Sequence, residues 1–368
     1  MNFLLTFLPS LIESRYQELT SGQSRNKQRT GTRRHSSGLK LPSSVNVIRE
    51  SNKGSATASK KYLIKEPTMP PRDSSANTAG FVHIGKTGGS TISVMLRNGC
   101  SSFVKSPCRQ VEHESAISKL VEHYYHVSDF FRLPTSNHRI FILSVRDVYD
   151  RTVSAYLYHH PRNYEAFNLT HLSERQQYLA ETGYKCFPTL QRFSSLLVQG
   201  DDPDACNYNH RFNEVWNDDC PALACAVIHG KVRFFSHLFF NYRNILWTKL
   251  PNLTDAQHSR TLYAIRQERF WDDWSNVNQL LGQSDPVYIP KADAAIIQRN
   301  VSKIQAPVTK DIDIIGREKL CRALETEYRA YFEILRRSVN IDETDMAACI
   351  QKAKANCPVL DIQTLAKG

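Results

Sequence analysis

The sequence predicts an α/β fold, a three-layer domain around a central, mainly parallel sheet. Two strand-turn-helix units predict it, and a chain of 368 residues is long enough to bury their core. The first unit is the apolar run AGFVHI from Ala79 to Ile84, then a Gly-rich turn, then STISVMLRN, which continues as a helix. The second begins with RIFILSV, from Arg139 to Val145, the nearly unbroken apolar run that a parallel strand buried on both faces requires. It passes through RDVYD into TVSAYLYHH, a helix stopped by Pro161. Strands that end in polar turns put a ligand site at the carboxyl ends of the sheet.

The remaining elements follow in order. From Leu169 to Asn241 the pattern is mostly helical, with DDPDAC and WNDDCP as loops. Leu262–Ile265 is a short strand, and FWDDWSNVNQLLG is a helix ending at Gly282. One long helix is expected from Arg317 to Val339, where Leu320, Leu324, Tyr328, Tyr331 and Leu335 recur on one face.

The net charge of +11 suggests a nucleic-acid binder until it is divided along the chain. Residues 1 to 72 hold 13 Lys and Arg against four Glu, a net of +9, which leaves +2 for everything after them. The basicity therefore belongs to a Ser-, Thr- and Asn-rich tail that cannot bury enough apolar surface to order itself. It carries no aromatic interleaving, and the expectation is a solvated stem with no specific nucleic-acid partner. Its first residues, MNFLLTFLPSLI, form an apolar run of signal-core length, short of a spanning helix, and offer a membrane association.

Nine cysteines and sequons at Asn168, Asn252 and Asn300 favour an oxidising lumen. The cysteines fall in local pairs, Cys100 with Cys108, Cys206 with Cys220, and Cys349 with Cys357, besides Cys186, Cys225 and Cys321.

Gly80-FVHI-Gly85-Lys86-Thr87 satisfies the nucleotide triphosphate pattern G-x-x-x-x-G-K-[ST]. Its four middle residues, however, read as the end of a strand, and the flexible glycines come after the lysine. FILSVRD likewise puts Arg146 where a magnesium-holding carboxylate would directly end the run. The segment Lys86, Thr87, Gly88, Gly89, Ser90 and Thr91 offers a different anion cradle. Two glycines admit close backbone approach, the following helix presents free N–H groups, and three hydroxyls add donors. Lys86 can neutralise charge that grows on a departing bridging oxygen.

HIGKTGGST resembles the 5′-phosphosulfate loop, usually H-I-P-K-T-G-G-T, of the Golgi-type carbohydrate sulfotransferases. These use 3′-phosphoadenosine 5′-phosphosulfate (PAPS), and they include the heparan sulfate 2-O- and 6-O-sulfotransferases. VRDVYDRTVSAY resembles their 3′-phosphate segment, V-R-D-P-x-x-R-x-x-S-x-Y. Gly85 and Val148 stand where that pattern has prolines. The resemblance implies that Lys86 to Thr91 hold the 5′-phosphosulfate and that Arg146 and Ser154 clamp the 3′-phosphate. It further implies PAPS as co-substrate without a metal, a carbohydrate or glycan acceptor, and residence in the Golgi lumen or membrane. Arg151 reads as a supporting or structural cation. A later nucleotide contact is sought at Asn300 to Lys303.

The acceptor hydroxyl needs a base. EHYYHVSDF resembles the H-x-H-V-S-F stretch of the 2-O-sulfotransferase branch, which implies His126 as base, with His123 as the displaced first histidine and Glu122 as fallback. Cys206, His210, Cys220, Cys225 and His229 have ligand chemistry that zinc accepts, but their spacing fits no zinc pattern, and disulfides explain the cysteines more simply. His159 and His160 read as a helix terminus, and His237, Asn241 and Tyr242 as a half-buried aromatic helix that could line the acceptor cleft.

The expected organisation is a weak apolar N-terminus and basic stem over 1–75, a sulfotransferase domain over 76–345, and a C-terminal extension over 346–368 with Cys349 and Cys357 as its local disulfide. The expected reaction is in-line sulfuryl transfer to a hydroxyl. A magnesium-dependent ATP kinase and a non-catalytic luminal binding module remain the alternatives.

Overall fold

Four parallel strands carry the site. The computed structural model describes residues 79–88, 92, 96, 115–126, 138–163, 181–197, 206, 219–232, 235–248, 260–283 and 309–368. Strands β1 (Ala79–His83), β2 (Val121–His126), β3 (Ile140–Val145) and β4 (Thr261–Arg266) lie in the order β2-β1-β3-β4. The mixed α/β class expected from the sequence is observed, and every pairing in this sheet is parallel.

Alternate residues along the strands enter two separate apolar clusters, which explains the unbroken FILSV run. Phe81, Ile142, Tyr263 and Ile265 join one cluster, while Val82, Phe141, Leu143 and Ala264 join the other. The smaller cluster is completed by α1 (Ala116–Leu120) and, later in the chain, by Phe270, Trp274 and Val277. The larger one receives α2 (Val148–His159), α3 (Leu190–Leu196), α4 (Cys220–Ile228), α5 (Ser236–Phe239) and α6 (Tyr242–Thr248). Helix α7 (Phe270–Leu280) is the expected helix, and the chain leaves it at Gly282 with φ 93°.

The long helix expected from Arg317 to Val339 is instead two, α8 (Ile314–Ala323) and α9 (Glu325–Arg337), broken at Leu324. Apolar periodicity could not reveal the break, because Leu320, Leu324, Tyr328, Tyr331 and Leu335 are buried on both sides of it. The outer edge of β4 is closed by the segment that follows. Val339 N–H donates to Leu262 O at 2.9 Å, and the Asn340 side chain bonds both N–H and C=O of Ala264 at 2.8 Å. Its ladder groups are thereby satisfied without another strand.

The residues expected as an extension fill the main core. Helices α10 (Glu343–Asn356) and α11 (Ile362–Lys367) contribute Cys349, Ala353, Cys357, Ile362 and Leu365 to the larger cluster. Asp345 at the start of α10 bonds Arg266 Nη2 at 2.6 Å, beside the Arg266–Asp273 pair at 2.5 Å. Among the described residues no helix is long and apolar enough to cross a membrane.

The cysteine pairing differs from the local pairs suggested by sequence. Cys186 bonds Cys220, Cys206 bonds Cys225, and Cys321 bonds Cys357, while Cys349 is a buried free thiol. Cys357 thus ties the C-terminal helices back to α8 and closes no local loop with Cys349. Packing decides this, since α8 and the end of α10 meet while the turns of α10 hold Cys349 away. Cys100 and Cys108 lie outside the described residues. Replacing both Cys321 and Cys357 by Ser is expected to lower unfolding free energy by about 3–4 kcal/mol, given a sequence separation of 36. Urea denaturation of oxidised wild type against the double variant checks it.

His160 settles as a neutral structural histidine. Its Nε2–H donates to Pro188 O at 3.0 Å, and its Nδ1 accepts from Arg162 N at 3.2 Å. Burial above all drives its pKa down to about 4. The unfolded histidine, near 6.5, takes up its proton first on acidification. This contribution is therefore complete above pH 6.5 and is lost as the pH falls towards 4. We expect wild type to lose on the order of 2–3 kcal/mol across that window, and His160→Gln, which keeps a donor for Pro188, to lose less. Denaturation midpoints at pH 7 and pH 4.5 measure the difference.

Candidate functional site

The site lies where β1 and β3 end side by side. Pairing of His83 with Ser144 brings both carboxyl ends to one edge, and β2 enters the same edge with His126 opposite His83. The chain goes from β1 to one neighbour, β2, and then crosses back to the other, β3. In open α/β sheets such a reversal marks the crevice, between the loops that follow the two strands, where ligands usually bind.

Phe81, Val82 and His83 are strand residues, so the first loop begins only at Ile84. Thr87 N–H donates back to Ile84 O at 3.3 Å and closes a four-residue turn. Gly85 keeps negative φ, whereas Lys86 has φ 69°, the pattern of a type II turn. That backbone is costly for lysine by about 1–2 kcal/mol, and such strain marks positions held for a purpose. The Thr87 hydroxyl is fully buried and bonds Ile84 O and, at 2.6 Å, Ser144 Oγ. Ser144 Oγ also accepts from Ile84 N–H at 3.2 Å. Thr87 therefore braces the turn from beneath. Gly88, at φ 89°, lets the backbone turn again, with Gln267 nearest to the vacant Cβ position. Gly89, Ser90 and Thr91 lie outside the described residues, as do Asn300 to Lys303.

The second loop docks on the first. Arg146 Nη1 donates to Lys86 O at 3.3 Å. The Arg146 backbone is held at both ends by the buried Tyr242 hydroxyl, which accepts from its N–H and donates to its C=O, each at 2.8 Å. Asp147 caps α2 by accepting from Asp150 N, and its carboxylate also accepts from Tyr328 OH at 3.0 Å and Asn356 Nδ2 at 2.7 Å. Its own N–H donates to Glu268 Oε1 at 2.7 Å. Burial pushes the carboxyls of both Asp147 and Glu268 above their ordinary range.

Lys86 is strongly perturbed. Its Nζ stands 4.1 Å from the centroid of the Tyr158 ring. Burial, and secondly the Arg146 guanidinium, bring its pKa down to about 8. It still carries a proton at neutral pH, and two cations at close quarters make this end of the sheet locally positive. Ser154 is half-buried on α2, four residues before Tyr158, so both share the helix face that meets the Lys86 turn. Among the described residues no hydrogen bond joins Ser154 to Arg146.

Arg151 is buried and structural. It donates to His237 O at 3.1 Å and Phe240 O at 3.2 Å, faces Glu327 at 3.7 Å, and lies over the Tyr242 ring. His126 ends β2 at the crevice edge, while His123 pairs with Gly80, three residues or about 10 Å further back. The side chains of both lie outside what the structure describes. Cys206, Cys225 and His229 cluster, but Cys206 and Cys225 form a disulfide and offer no thiolate to a metal; His210 lies outside the described residues.

Sequence reading missed Tyr158, Gln267, Glu268 and Asn356. Only Tyr158 had a local signal, its spacing of four from Ser154 on a helix. Comparison with family models, with curated proteins and with solved structures finds no match to this chain.

Proposed function

We propose that this protein is a PAPS-dependent sulfotransferase that moves a sulfuryl group to a hydroxyl of a carbohydrate or glycan acceptor, on a three-layer α/β fold. One observation carries the reading: Lys86 and Arg146, from two adjacent strand-end loops, meet across the crevice of the sheet, with Lys86 desolvated yet still cationic at neutral pH. A donor with two anionic groups suits that pair, its 5′-phosphosulfate at Lys86 and its 3′-phosphate at Arg146.

In this reading Lys86 and residues 88–91 hold the 5′-phosphosulfate, while Thr87, whose N–H and hydroxyl are committed to Ile84 and Ser144, fixes the Lys86 turn rather than touching the donor. Lys86 meets the negative charge that grows on the phosphate oxygen as the S–O bond breaks. Arg146, fixed by Tyr242, and Ser154 take the 3′-phosphate. The acceptor oxygen attacks sulfur opposite the leaving phosphate, and its proton passes to His126 at the end of β2. No metal takes part. The strand conformation of Phe81 to His83 counts against an ATP loop over Gly80 to Thr87, and three disulfides fit residence in the Golgi lumen or at its membrane.

Calorimetric binding separates the readings. The expected result is that 3′-phosphoadenosine 5′-phosphate binds without magnesium and far more tightly than ATP, and that labelled PAPS transfers ³⁵S to a member of a glycan panel. Magnesium-dependent ATP binding in preference to the bisphosphate would overturn it.

A further inference from the structure

Gly85 and His237 contend for one space. A Cβ on Gly85 would stand 2.2 Å from Cδ2 and 2.9 Å from Cγ of the His237 ring. Carbon atoms in contact settle at about 3.5–4.0 Å, so the imidazole lies where any side chain at position 85 would have to be. A type II turn favours proline at this place, and His237 excludes it.

The same ring meets Tyr158, with ring centroids 4.8 Å apart and planes inclined at 55°. Tyr158 in turn carries the Lys86 ammonium on its face. The backbone of His237 is itself pinned, since Arg151 of α2 donates to its carbonyl and to that of Phe240. A chain of contacts thus runs from Gly85 through His237 and Tyr158 to Lys86, whose own backbone is residue 86 of the same turn. The loop closes on itself.

We propose that His237 is a positioning residue for Lys86: seated on Gly85, its imidazole holds the Tyr158 ring against the ammonium and keeps water from it, and position 85 is glycine to admit that ring. The proposal deepens the sulfotransferase reading and rests on Lys86 as the donor-binding cation. Among the described residues the titratable groups that meet Lys86 are Arg146 of the second loop and Tyr158 of α2, with His237 of α5 behind Tyr158.

The test follows Lys86 itself, by competitive acetylation with acetic anhydride across pH and mass spectrometry of the peptide. In wild type the labelling midpoint is expected at about 8. In His237→Ala, water reaches the amine and the midpoint rises by about one unit, while His237→Phe, which keeps a ring over Gly85, stays near the wild-type value. Gly85→Ala is expected to weaken 3′-phosphoadenosine 5′-phosphate binding about tenfold, and adding His237→Ala is expected to recover part of that loss. An unmoved midpoint in His237→Ala, or Gly85→Ala tolerated at full affinity with His237 in place, overturns the proposal. If His237→Ala does not fold, His237→Asn opens the same gap and is read the same way. Absence of bisphosphate binding in wild type would sink the sulfotransferase reading instead, and the acetylation midpoints would still decide the role of His237.

Discussion

Lys86→Ala is expected to lower kcat for sulfuryl transfer by about 10²–10³-fold with little change in thermal stability, the usual cost of removing one group aimed at transition-state charge. Three features make the position decisive. The amine stands on a half-buried aromatic face, a second cation lies beside it, and its own strained backbone fixes where it points. The same environment predicts a pH profile. Burial lowers the folded pKa to about 8, so the cation is present below that pH and lost above it. We expect kcat/KM, which reports the free enzyme, to fall above pH 8, and Lys86→Arg to retain part of the activity with that alkaline limb removed. Initial rates with labelled PAPS from pH 6 to pH 10 provide both tests. A profile flat to pH 10 in wild type would contradict the assignment of Lys86.

Arg266→Met is expected to cost about 3–5 kcal/mol of stability, the largest effect of any single substitution outside the crevice. Arg266 is buried at the carboxyl end of β4. Its Nε and Nη2 meet both oxygens of buried Asp273, and Nη2 reaches Asp345 as well. Without the guanidinium, Asp273 keeps only the Arg266 backbone N–H at 2.7 Å. A buried carboxylate would then stand almost alone, which is the costly case. The double variant Arg266→Met with Asp273→Leu should recover much of the loss, because removing both partners removes the stranded charge. Urea denaturation of the two variants decides it, and equal destabilisation of both would show that the pair matters for its packing alone.

How much of this was legible depended on whether the cause was local. β1 and β3 were readable because a strand buried on both faces must be almost wholly apolar, and AGFVH and IFILSV are, apart from His83 and Ser144 near their ends. β2 was not, since VEHYYH mixes charge and aromatics, and only its pairing with β1 makes it a strand. The end of α2 followed from Pro161, but the helix was expected from Thr152 and begins earlier, at Val148, where Asp147 caps it; the break at Leu324 did not disturb the apolar stripe and so left no trace. At the site, the glycines and the two cations could be named from the sequence. What could not be seen was the support beneath them. Tyr242 reaches Arg146 from 96 residues away, and Asn356 reaches Asp147 from 209. The cysteine pairing failed for the same reason, because neighbours in sequence need not be neighbours in space.

The cross-link from Cys321 to Cys357 also bears on the order of events as the chain is made. A ribosome delivers β1 to β4 well before α10, so the growing polypeptide exposes the apolar face that Ala353, Cys357 and Ile362 later cover. Until they arrive, Asp147 lacks Asn356, and Arg266 lacks Asp345. As α10 emerges, the Cys321 thiol meets Cys349 before Cys357, its partner in the folded chain. The nascent chain therefore passes through an aggregation-prone stage with an error available to it, and disulfide exchange rather than strand pairing is the step expected to limit its maturation.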